Sequence, residues 1–248
     1  MRKLRDVFYV NTFPQKNEIV YYGLEFKEFI KFIPIELDNI LLLKSEYYRS
    51  EYKVKYNFET VNIEEMQDFI KEDIDGYGDF CWVDFDRVEN VDSLEPSEVA
   101  ELLYLGHMFL PVESPFFEKL HNRYAYLAHD DGWFCRLYCK SFKDFGEVIA
   151  NKLVSIVSTS KRRKIYPLHD ELKSQLLSMA EDGLLIDFSN VLKCDRSIEI
   201  PIYTIGKFVD MDAMYNDLKR HTGRARYSAK LVHKNKVWTI NYIHEIEN

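Results

Sequence analysis

The residues richest in reactive side chains are His129-Asp130-Asp131-Gly132-Trp133. An imidazole beside carboxylates can ligate a divalent metal or carry acid–base chemistry. His129, Asp130 and Asp131, with His107 and Arg136, therefore form a candidate pocket. A metal held there would draw on His129, Asp131 and Asp84, with Asp86 and His107 able to complete the set. The same run has a purely conformational reading, because Asp131-Gly132 suits a two-residue turn with positive φ.

Other reactive residues carry structural readings. His107 follows Gly106 at a helix end, where a histidine favours the dipole and caps carbonyls. Cys135 and Cys139 share one strand face and read as small buried hydrophobes, while Cys81 and Cys194 stand alone. No phosphate-binding glycine loop, nucleophile elbow, paired CxxC or HExxH occurs, which counts against the common nucleotide, hydrolase and zincin sites. No catalytic residue or cofactor is assigned. A second candidate surface is basic: Arg224, Arg226, Lys230 and Trp238, with Lys234, Lys236 and Tyr227, resemble in composition the cation-and-aromatic sheets that bind RNA.

These residues need elements to position them. Val7 to Val10, Ile19 to Tyr22, Phe32 to Ile35, Ile40 to Leu43 and the alternating Tyr52 to Phe58 read as strands. Asn62 with Glu65 forms a capping box for a helix carrying Ile63, Met66, Phe69 and Ile70. Phe80 to Val83 is a strand, Pro96 opens a helix through Gly106, and Ser114-Pro115 opens a short one. Tyr124 to Asp130 and Trp133 to Lys140 form a hairpin, with Tyr124, Tyr126, Ala128, Cys135, Leu137 and Cys139 on its core face. Ser141 caps a helix through Leu153. Beyond it come a helix from Leu168 that Gly183 ends, strands at 184–188 and 198–205, a helix at 211–218, and a hairpin turning at Lys234-Asn235. Pro201 suggests that the 198–205 strand is an edge.

The expected fold class is α+β. A larger N-terminal domain with antiparallel strands spans 1–155, a basic connection 156–167, and a small α-β-β-α-β-β domain 168–248. With 248 residues, 46% hydrophobic and 30% charged, the chain is long and apolar enough for a sizeable core. The aromatic share of 15% fits a thick core or an adhesive surface. The longest aliphatic run, Ile40 to Leu43, falls far short of the roughly 20 residues of a membrane span. Neither a signal peptide nor a disulfide framework is expected, and the cytoplasm is the expected location.

The net charge of −8 is unevenly spread. Seventeen acids face three bases between Glu59 and Leu120, whereas Lys219 to Lys236 holds seven bases and no acid. The acidic stretch reads as solvated helix faces or a partner surface. The overall acidity argues against non-specific nucleic-acid binding.

Three stretches, Arg5 to Thr12, Gly78 to Phe85 and Asn122 to Trp133, resemble an uncharacterised family of intracellular proteins from Firmicutes. Some members of that family carry the label oxalate:formate antiporter, which implies about a dozen membrane helices and does not suit this chain. Tyr124 to Leu153 is also similar to immunity and regulatory modules of the Smi1/Knr4 type: strand, acidic glycine turn, strand and Phe-rich helix in succession. The leading expectation is a non-catalytic binding or regulatory protein that meets a protein partner through an aromatic and acidic surface. The alternatives are a metal-dependent or small-molecule enzyme near 129–133, and nucleic-acid binding through the basic C-terminal part.

Overall fold

The computed structural model describes residues 6–44, 58–71, 80–107, 110–129, 134–158, 166–194, 197–207, 222–223, 225 and 227–245. The expected strand at 52–58 and helix at 211–218 lie almost wholly outside them. Among the described residues, twelve strands form one sheet, every pairing antiparallel. The strands are β1 (Val7–Phe13), β2 (Glu18–Tyr22), β3 (Asn39–Lys44), β4 (Glu59–Asn62), β5 (Phe80–Phe85) and β6 (Tyr124–His129), then β7 (Phe134–Cys139), β8 (Leu184–Asp187), β9 (Leu192–Lys193), β10 (Ser197–Thr204), β11 (Tyr227–Lys234) and β12 (Val237–Glu245). Their order is β12-β11-β10-β8-β1-β2-β7-β6-β5-β3-β4, with β9 beside β10.

The mixed α+β class holds. The expected boundary at 156–167 falls between strands of this one sheet: β1 pairs with β8, Val7 opposite Asp187 and Val10 opposite Leu184.

Six α-helices accompany the sheet among the described residues: α1 (Phe26–Phe32), α2 (Ile63–Phe69), α3 (Val88–Asp92), α4 (Pro96–Gly106), α5 (Phe142–Val157) and α6 (Asp170–Glu181). Helices α1, α2, α5 and α6 cover one face. There Phe26, Phe29, Met66, Phe145, Ile149, Leu172 and Leu176 meet the inward residues of β1, β2, β5, β6 and β7. Trp82 stacks on Tyr126 at 5.0 Å between ring centres, and Phe29 packs 5.4 Å from Tyr126. Much of the aromatic content is thus core. On the other face, α3 and α4 and the segment 110–122 lie over β3, β5 and β6, with Leu102, Leu105, Phe117 and Leu120 against Leu41, Cys81, Val83 and Leu127.

Local signals act as expected at several ends. Asn62 caps α2 by accepting from Glu64 and Glu65, and Ser141 accepts from the Asp144 amide. Pro96 begins α4 behind a Glu95–Glu98 capping box. Gly183 ends α6 at φ +77°, and a Cβ there would stand 1.9 Å from the Gly206 carbonyl. That carbonyl also accepts from the Tyr9 hydroxyl at 2.7 Å, tying the end of β10 to β1.

Four expectations are corrected. Phe32 to Ile35 is not a strand. Phe26–Phe32 is helical because Glu25 and Glu28 close a capping box, and Ile33, extended before Pro34, stops it. Ser114-Pro115 opens no helix; a turn over residues 118–121 stands in its place. Strand β10 is interior, and Pro201 is tolerated because it sits where the neighbour changes. Ile198 and Glu199 pair with β9 and Ile202 to Thr204 with β8, so no partner on that side needs its missing N–H. The last hairpin turns at Asn235 and Lys236, both at positive φ, one residue later than expected.

No described helix is long and apolar enough to cross a membrane.

Candidate functional site

The residues of the expected pocket are placed by β5, β6, β7 and α4. His129 ends β6, half-buried, opposite Phe134, with the two rings 5.4 Å apart. Asp130, Asp131 and the rest of the turn lie outside the described residues. Arg136 shares a sheet face with His129, but its Nε stands 3.0 Å from the buried carboxylate of Glu18. Arg136 is therefore a structural ion pair across β2 and β7. Burial and the Glu18 charge push the neighbouring Tyr138 hydroxyl up to about 12. His107 is the exposed C-cap residue of α4, its amide bonded to the Leu103 and Tyr104 carbonyls.

The expected metal set is not assembled. Phe80 pairs with Ala128 and Val83 with Ala125, which puts Asp84 at the opposite end of the β5–β6 pair from His129. Five residues of strand separate the two levels, roughly 16 Å. Among the described residues, no three His, Cys, Asp or Glu side chains come close enough to hold a metal ion. Asp84 has other work. Its buried carboxylate accepts from the Tyr124 amide at 2.6 Å and the Arg123 amide at 2.9 Å. Burial raises it to about 6 even though these amides favour the anion.

Around Asp84 is a polar corner that sequence reasoning missed. Asn122 is fully buried; it accepts from the Phe117 amide at 2.7 Å and donates to the carbonyls of Pro115 and Tyr124. His121, held at φ +53°, places Nδ1 2.8 Å from Asp86. The His121 hydrogen bond, with help from Asn90, holds the Asp86 carboxyl below its usual range. The corner fixes segment 110–122 to the end of β5. Its only sequence signal is the pair of aspartates flanking Phe85.

Cys135 and Cys139 are buried, each thiol pushed up to about 12 by desolvation, which makes them unreactive core residues. Of the basic candidates, Arg224 and Arg226 lie outside the described residues. Lys230 pairs with Glu199 at 2.8 Å. Trp238 is 1% exposed and donates to the Tyr166 carbonyl at 2.8 Å, so its ring is not available for a base to stack on.

What the fold does bring together is the outer side of α3, α4 and 110–118. From Asp86 to Lys119 the chain has eight acids against Arg87 and Lys119. Lys119 reaches Glu95 and Glu98 at 3.2 and 3.1 Å, leaving the exposed Glu89, Asp92, Glu113 and Glu118 to set the field. Among them stand Val88, Leu103, Tyr104, Leu110 and Val112, half of the large apolar side chains exposed among the described residues. Alternation explains this: α4 turns Leu102 and Leu105 inward and Leu103 and Tyr104 outward. Apolar side chains within an acidic field are what a recognition surface presents. Comparison with protein-family models, curated proteins and solved structures finds no match.

Proposed function

We propose that this protein is a non-catalytic binding module whose α3–α4 layer receives a protein partner with a basic, partly apolar surface. The observation that carries the reading is the coincidence, on α3, α4 and the segment 110–118, of outward acid charge with five exposed apolar side chains. Apolar contact would supply affinity and the field would select a basic partner and speed encounter. The enzyme reading is weaker, because Asp84 stands a strand's length from His129 and Arg136 is held by Glu18. The nucleic-acid reading is weaker because Trp238 is buried.

Affinity capture on immobilised chain tests the proposal. The wild type is compared with Glu89→Lys/Glu113→Lys, with Tyr104→Ala/Val112→Ser, and with Glu171→Lys on α6 as a control. Basic proteins retained by the wild type and the control, and lost from both layer variants, are the expected result. A retained set that ignores the layer variants overturns the assignment.

A further inference from the structure

Helices α5 and α6 touch where Gly146 lies against Leu177; a Cβ at Gly146 would stand 3.1 Å from Leu177 Cδ1. Beyond that contact, toward the start of α5, they part around a cleft of about 590 Å³, the size of a small-ligand site. The cleft follows one stripe of α6 from Asp170 to Glu181, roughly 16 Å. The end of β1 and the first turn of α5 form its other walls, and Pro14, Phe142 and Leu177 supply its apolar surface.

Two features point to a guest. The first is Thr12, which shares the helix-covered face of β1 with Phe8 and Val10. It is 3% exposed and lines the cleft, and its hydroxyl has no hydrogen-bond partner among the described residues. A buried hydroxyl in that position carries a desolvation cost that an entering polar group removes. The second is charge. Lys173 is already met by Glu147 at 2.6 Å and Asp170 at 3.0 Å. Lys143 and Glu181 are left, and neither has an ion pair among the described residues. The Lys173 hydrogen bond and charge, followed by the Lys143 charge, hold the Asp170 carboxyl below its usual range, which places Lys143 at the Asp170 end. Glu181 stands at the other end, about three turns along α6.

We propose that this cleft binds a short apolar peptide with both termini free, its carboxylate at Lys143 and its ammonium at Glu181. One free cation and one free anion at opposite ends match a zwitterion better than a simple anion or cation. The length of the cleft selects a chain over a single amino acid, whose two charges lie too close together. With the Lys143 and Glu181 side chains reaching inward, three or four extended residues, at most about 3.6 Å each, fill the interval. Phe142 and Leu177 receive an apolar side chain, and the Thr12 hydroxyl meets the peptide backbone. The cleft lies on the face of the sheet opposite α3 and α4 and does not depend on the acidic layer.

The test is titration of the full chain, followed by its amide chemical shifts, with Ala-Leu-Ala, its N-acetyl form, its C-terminal amide and free leucine. Ala-Leu-Ala is expected to bind, and each blocked form about fivefold more weakly. Lys143→Gln should bind the free peptide and its amide alike, and Glu181→Gln the free peptide and its N-acetyl form alike. Both substitutions are at exposed positions, and unchanged far-ultraviolet circular dichroism shows that each variant is folded. Thr12→Val should weaken all the peptides by a similar factor. Absence of shifts at millimolar Ala-Leu-Ala, or binding that both charge variants leave unchanged, overturns the proposal. Blocked forms that bind as well as the free peptide overturn the zwitterion, and leucine that binds as well overturns the length.

Discussion

The two helical layers treat charge in opposite ways. Beneath α1, α5 and α6, charge is matched: Lys152, nearly buried, meets Glu28 at 2.6 Å, and Lys173 meets Glu147 at 2.6 Å. Around α3 and α4 the acids point outward, and one lysine serves two of them. A buried charge without its partner is strongly destabilising, whereas an exposed one is nearly free of cost. The first layer is therefore constrained by folding, while the second is free to carry a field that only a partner would match.

The contrast is broken most severely by cutting the chain at the expected domain boundary. Residues 1–155 retain β1 but lose β8, so apolar Val7 to Val10 become an edge. That fragment is expected to aggregate or remain unfolded, which solubility and circular dichroism will show. Within the full chain, Asn122→Ala removes the acceptor of a buried amide and a donor to two carbonyls. It should cost about 3 kcal/mol in urea denaturation. Lys152→Ala should cost about 2–3 kcal/mol, the partly exposed Glu28 being left without its cation.

Asp84 adds a pH dependence. Its folded value, about 6, exceeds that of an unfolded aspartate, so the folded chain binds the proton more tightly. Its contribution is complete below about pH 4 and is lost as the pH rises through 6, roughly 2–3 kcal/mol in all. Stability curves of wild type and Asp84→Asn, compared between pH 4 and 7, should diverge across that window; parallel curves would exclude it. The smallest effect sharpens the contrast: Glu89→Lys/Glu113→Lys should change stability by no more than about 0.5 kcal/mol while altering retention of partners.

Features written in neighbouring residues were legible before the fold was known. The β6–β7 hairpin appears with its core face as read, because alternation fixes the register once the strands pair. The caps of α2 and α5 and the Pro96 start of α4 follow from side chains within one turn of each helix start. Features that depend on remote partners were not legible. Pro201 signals an edge unless one knows that β9 and β8 divide the strand beside it. Arg136 looks like a pocket residue until Glu18, more than a hundred positions earlier, is placed against it. The charge imbalance was visible, but its gathering beside Leu103 and Tyr104 needed the orientation of α4. Asn122, in a stretch noted only for resemblance, gave no sign of being a buried brace.

The pairing of β1 with β8 also has a consequence in time. One side of β1 is satisfied as soon as β2 follows, but the other waits for residues 184–187, some 175 positions later. At roughly 5–20 residues per second of synthesis, that side stays open for on the order of ten to thirty-five seconds. Val7, Phe8 and Val10 are apolar and Tyr9 adds an aromatic ring, so a nascent chain holding them exposed is a substrate for chaperones until β8 arrives. Its final closure is a slow, long-range event set by contact order.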